Sequence, residues 1–202
     1  MPEHIDRDIL IELFEKLDDA STHKQTLCVI GAAAVLSYGH TARQTHHIDI
    51  WRPASTINDR ELRKISTAAG IDLDPKELEP NKIYLQVIQP GIVQLPAFSG
   101  DQWATGEQSQ TLWSGNKLTI IAPPPSIIVA AKLVRAEDRD IDDSIYLIES
   151  KDLKTPEIIN AISKLPSKAA RDTAMENLTL LRVIIEQRTP PIQQSSREPP
   201  ER

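Results

Sequence analysis

Cysteine is almost absent. Cys28 stands alone in 202 residues, which excludes an intramolecular disulfide framework. It lies in the apolar run at residues 27–30, where a lone thiol is expected to act as a small buried hydrophobe. Aromatic side chains make up only 4% of the chain, so a core must rest on Leu, Ile, Val and Ala. Basic charge is not in surplus either. The net charge of −6 argues against a dedicated, strongly basic nucleic-acid surface and leaves room only for a local patch that meets an RNA end. No apolar run reaches the length of a membrane span. The first seven residues are polar, unlike a signal segment. The expected setting is therefore cytoplasmic, with no membrane partner. Gly-x-Gly-x-x-Gly, Walker and nucleophile-elbow sequences are missing, and there is no internal repeat.

What is present reads as an α/β front with a helical back. Ile5, Ile9, Leu10, Leu13, Phe14 and Leu17 share one helical face, predicting a helix over residues 6–19. Residues 27–30 form a short buried strand, Gly31 ends it, and residues 32–38 predict a short helix stopped by Gly39. Residues 47–51 alternate with period two and predict a strand. A helix capped by Ser55, Thr56 or Asn58 runs to about residue 69. Residues 83–88 and 92–95 are strand candidates about Pro90–Gly91, and residues 110–113 and 117–121 a hairpin. After Pro123–Pro124–Pro125 everything reads as helix: 126–135, 140–149, 155–163 and 167–187. The expected organisation is an α/β core over 1–122, a helical region over 123–188 and a disordered Pro-rich tail over 189–202.

The stretch Thr45–His46–His47–Ile48–Asp49–Ile50 carries the most chemical information. Alternation puts His47, Asp49 and Trp51 on one face of a strand. A carboxylate at i and i+2 on a rigid strand is how a hard cation such as Mg²⁺ is held against a triphosphate. Here the pair is His47 and Asp49, and imidazole suits Mn, Zn or Fe better than Mg. Bland readings compete. Asp49 can also be read as a solvated strand-edge acid, Lys132 as a snorkelling lysine, and residues 135–143 as a solvated helix start. His46 and His47 can also be read as plain surface or pocket residues. A zinc site at these two would need His4, His23 or His40 as well.

The segment Val29–Ile–Gly–Ala–Ala–Ala–Val–Leu–Ser–Tyr–Gly39, followed by Arg43–Gln–Thr–His–His–Ile–Asp–Ile50, resembles the front half of minimal nucleotidyltransferases, AbiEii-like toxins among them. Pro125–Ser–Ile–Ile–Val–Ala–Ala–Lys132–Leu, then Arg139–Asp140–Ile–Asp–Asp143–Ser–Ile–Tyr–Leu147, resembles their back half. The resemblance touches about half the chain. It implies a small mixed sheet with flanking helices and a C-terminal helical region. It also implies NTP as substrate, Mg²⁺ or Mn²⁺ as cofactor, and NMP transfer to an RNA or protein hydroxyl in a toxin–antitoxin or phage-defence pair. By position, Gly31 and Ala32 form the phosphate turn, and Arg43 and Thr45 flank it. Asp49, with His47, meets the metal. Lys132 offsets triphosphate charge, and Asp140 or Asp143 orients Lys132 or the ion.

Two departures stand out. His47 replaces the first carboxylate, and no acid occurs from residue 83 to residue 99, where a neighbouring strand should supply a third. They admit an alternative: a catalytically degenerate member that binds a nucleotide or a cognate partner protein.

Overall fold

The computed structural model describes residues 4–77, 79 and 82–188; the expected Pro-rich tail lies outside the described residues. Helix α1 (Arg7–Ala20) begins where the Asp6 carboxylate accepts the Ile9 N–H at 3.0 Å. This satisfies one of the donors that every helix start leaves open. Its apolar stripe, Leu10, Leu13, Phe14 and Leu17, is buried. Strand β1 (Gln25–Ile30) follows and passes into α2 (Gly31–Ser37); then come β2 (His47–Trp51) and α3 (Asp59–Ala68), which Asn58 caps through the Glu61 N–H. As the alternation predicts, Ile48 and Ile50 of β2 are core, while His47 and Asp49 are half-buried; Trp51, on the same face as His47 and Asp49, is buried as well.

The remaining strands are β3 (Asp72–Leu73), β4 (Tyr84–Ile88), β5 (Phe98–Ser99), β6 (Gln102–Trp103), β7 (Gln110–Ser114) and β8 (Leu118–Ala122). The main sheet has the order β3-β4-β2-β1-β8-β7, and β5 pairs with β6 separately. It is mixed, as expected. β1 runs antiparallel to β2 and parallel to β8, while β4 runs parallel to both β2 and β3. The β7–β8 hairpin turns on Gly115 and is clamped to α1. The buried Asp18 carboxylate accepts the N–H groups of Asn116, Lys117 and Leu118 at 3.0, 2.7 and 2.6 Å. A Cβ at Gly115 would stand 2.5 Å from both Asp18 Cγ and the Trp113 ring, so only glycine lets the turn close onto the helix.

Beyond Pro124 lie α4 (Pro125–Arg135), α5 (Asp138–Ser150), α6 (Thr155–Ser163) and α7 (Lys168–Arg188). Helix α4 is the hub, packed against α5, α6 and α7. It is joined to α5 by a two-residue turn in which Ala136 adopts a left-handed conformation. No helix among the described residues is long and apolar enough to cross a membrane.

The sheet departs from expectation at residues 92–95. These form no strand beyond an isolated bridge between Pro90 and Val93. Gly91, at φ 95°, turns the chain out of the sheet, and Ile92 is left 66% exposed. The short β3, β5 and β6 were not anticipated, since two-residue strands carry no periodicity to read.

Candidate active site

The site is assembled where β1 ends. Its last residue, Ile30, pairs across the sheet with Asp49, so the carboxylate lies over the start of α2. Gly31 there has φ 62°, and a Cβ on it would meet Asp49 Oδ2 at 2.5 Å. Glycine is thus required twice, by backbone conformation and by the approach of the acid. In the parallel partner β4, Tyr84 lies beside His47 and Gln86 beside Asp49. The position from which a third carboxylate would reach the pair is occupied by an amide.

The second half comes from the α4–α5 turn. Lys132 and Arg135 sit one turn apart on α4, and Asp140 and Asp143 one turn apart on α5, so the short connection sets two cations against two acids. Lys132 Nζ lies 3.0 Å from Asp140 Oδ1 and 2.7 Å from Asp143 Oδ2. Arg135 holds Asp140 in two-pronged fashion at 2.6 and 2.9 Å. From the loop before β2, Arg43 Nε reaches Asp143 at 3.1 Å. Both contacts of Asp143 are charge–charge contacts without hydrogen-bond alignment. The result is a chain of alternating charge: Arg43, Asp143, Lys132, Asp140, Arg135. Both acids are almost fully buried, and the Lys132 side chain is 9% exposed. Lys132 therefore does not snorkel; its ammonium is enclosed between carboxylates. Residues 135–143 are likewise more than a solvated helix start. The Tyr146 hydroxyl holds α5 against α2 by donating to the Tyr38 carbonyl at 3.2 Å.

These elements enclose a cleft of about 880 Å³. Gly31, Ala32, Arg43, Thr45, His47, Asp49, Lys132 and Asp143 all line it. Asp140 lies behind Lys132 and lines a smaller adjoining cavity instead. Thr45 is mostly turned inward, its hydroxyl donating to the His47 carbonyl at 3.2 Å. His4, His40, His46 and His47, all the histidines except His23, also line the cleft.

Electrostatics follow from these neighbours. The His47 imidazole, with Nε2 3.5 Å from Asp49 Oδ2, titrates above its ordinary value because hydrogen bonding to Asp49 outweighs burial and the nearby Arg43. Burial pushes the Asp140 carboxyl up, but hydrogen bonds from Arg135 and Lys132 prevail and hold it below the usual range. Burial and the Asp49 charge raise the Tyr84 phenol.

Sequence reasoning missed three participants. Arg135 was legible in principle, as the residue at i+3 from Lys132 on the same helix face. Tyr84, stacked on His47 at 5.3 Å between ring centres, depends on strand pairing that no local signal encodes. The pairing of Arg188 with Asp142 at 3.4 Å links segments far apart in the chain.

The donor set does not fit a resident Mg²⁺ ion. Among the described residues no three His, Cys, Asp or Glu side chains converge to hold a metal. Asp140 and Asp143 are engaged by three cations. His47 and Asp49 offer two donors towards a shell of six.

A family model described as "nucleotidyltransferase of unknown function" (DUF6036) matches residues 8–178, and the chain belongs to that family. No curated protein and no solved structure matches it.

Proposed function

We propose that this nucleotidyltransferase-family chain binds an NTP in the cleft and transfers its nucleoside monophosphate to a hydroxyl on RNA or protein. One observation carries the reading. Two segments far apart in sequence, the Gly31–Asp49 unit and the Lys132–Asp143 unit, line one cleft of a size suited to a nucleotide. In the reaction the acceptor hydroxyl oxygen attacks the α-phosphorus and gives up its proton to solvent, the bond to the bridging oxygen of the β-phosphate breaks, and pyrophosphate leaves. The protein's part is mainly positioning and charge placement. Gly31 and Ala32 bring small-residue backbone to the phosphates. Arg43, Lys132 and Arg135 supply one more positive charge than Asp140 and Asp143 cancel. Asp49 contacts no Lys or Arg among the described residues, so its carboxylate is left for a substrate that arrives as a Mg²⁺ or Mn²⁺ complex of the triphosphate.

The setting we infer is a toxin–antitoxin or phage-defence pair with a cognate partner protein. It rests on the likeness of residues 29–39, 43–50, 125–133 and 139–147 to minimal nucleotidyltransferases, AbiEii-like toxins among them. The decisive assay uses α-labelled NTPs with acceptor RNA, and with protein from a cell extract, each in Mg²⁺ and in Mn²⁺. Wild type should incorporate label and Asp49→Ala should not. Equal inertness of both across nucleotides and metals would remove the transfer reading. Nucleotide binding without incorporation would leave a nucleotide-binding module. The setting has its own test: expression in a bacterium lacking the partner should arrest growth only while Asp49 is intact.

A further inference from the structure

We propose that the smaller cavity beside the cleft is a slot for the nucleobase of the bound nucleotide. The inference rests on the reading of the cleft as an NTP site.

The cavity, about 450 Å³, shares Gly31, Asp49, Lys132 and Arg135 with the cleft, so the two spaces meet at the charged centre. Away from that junction its character changes. One wall is the face of α4 that carries Ile128, Ala131 and Val134 at three-residue spacing. Facing it is the loop formed where the chain leaves the sheet after Gly91, with Ile92, Val93 and Leu95 turned to the cavity. The same helix thus offers an apolar stripe and, one position round, the cations Lys132 and Arg135. An occupant must be apolar over its body at one end and anionic at the other. A nucleotide has that form: a flat ring with an apolar face, joined to phosphates.

Two further observations narrow the occupant. Ile92 is 66% exposed, a large aliphatic side chain at the rim of a concave site rather than on a flat surface. Gln94 lines the cavity half-buried, and its carboxamide makes no hydrogen bond to any described residue. An amide carries both donors and an acceptor, the complement of a base edge. A lipid chain would gain nothing from that amide, and a peptide would not need the cationic junction. Since no aromatic side chain lines the slot, the base would lie between aliphatic walls and not in a ring stack.

The test compares binding of ATP, GTP, CTP and UTP with that of inorganic tripolyphosphate, each with excess Mg²⁺, by calorimetry on the full chain. At least one NTP should bind the wild type about tenfold or more tightly than tripolyphosphate, equivalent to about 1.4 kcal/mol. Ala131→Trp fills the slot and should abolish that advantage while leaving tripolyphosphate affinity unchanged. Ile92→Ser and Gln94→Ala, both away from the core, should reduce it several-fold, and they carry the test if the tryptophan variant fails to fold. An NTP that binds no better than tripolyphosphate, or an advantage that survives these changes, overturns the slot and leaves the cleft reading intact. If neither ligand binds, both readings fall.

Discussion

Replacing Lys132 by methionine keeps the length and apolar stem of the side chain and removes one enclosed charge. In the wild type that ammonium lies within 3.0 Å of two carboxylates that have almost no contact with water. Removing one partner of a buried ion pair typically costs about 3–5 kcal/mol, because the other charge is left uncompensated. Here the loss is moderated, since Asp140 keeps Arg135 and Asp143 keeps Arg43. A destabilisation of about 2–3 kcal/mol is expected at neutral pH. Its pH dependence follows from Asp140, whose folded carboxyl titrates below its ordinary value. Such a group contributes stability above its unfolded value of about 3.9 and loses it as the pH falls through the folded value. Without Lys132 the folded value rises and the contribution shrinks. The difference between variant and wild type should therefore be largest near neutrality and narrow as the pH drops towards the carboxylate range. Urea unfolding from pH 7.5 down to about pH 2 measures it. Adding Asp143→Asn to the Lys132→Met chain should recover part of the loss, since one stranded charge disappears. A loss below about 0.5 kcal/mol that neither varies with pH nor responds to the second change would place Lys132 in solvent and refute the enclosed network.

Gly31→Ala should cost about 1–3 kcal/mol from the positive φ and displace the Asp49 carboxylate, seen as lowered thermal stability together with weakened NTP binding. Asp18→Ala strands three backbone N–H groups at the β7–β8 turn and should cost about 2–4 kcal/mol in urea unfolding at neutral pH. Burial raises the Asp18 carboxyl, but the N–H groups of Lys117, Leu118 and Asn116 draw it below its ordinary value. The wild type's advantage over that variant should therefore hold above the usual carboxylate range and fade as the pH falls through the folded value. An NMR titration should place the His47 midpoint above that of an ordinary histidine, and Asp49→Asn should bring it down, because Asp49 is the main stabiliser of the imidazolium.

Much of the architecture could be read from local pattern. The alternation in His47–Trp51, the amphipathic stripe of α1 and the prolines at 123–125 each impose one conformation on their own segment. The pairings of the candidate residues were legible because they depend on offsets: Asp49 lies two residues from His47, and Asp143 three from Asp140. What stayed hidden depends on long-range pairing. Nothing near Tyr84 says that β4 lies beside β2, so its stacking on His47 was invisible. The run at residues 92–95 has strand composition, yet the turn at Gly91 sends it away from the sheet. Lys132 was expected to offset triphosphate charge, with Asp140 or Asp143 orienting it or the ion. Only the two-residue α4–α5 turn reveals that both acids reach the lysine at once.

The alternating row from Arg43 to Arg135 also constrains how any polyanion could enter. Each of its three cations already touches at least one of two fixed carboxylates, so beyond the one surplus positive charge an incoming phosphate competes with an internal acid for a guanidinium or ammonium instead of filling an empty electropositive well. Association of that kind is an exchange of partners. It liberates few counterions and should depend only weakly on ionic strength. It would also loosen the tie between the loop of Arg43 and helix α5, so that the arrival of ligand and a small rearrangement of that loop become one event.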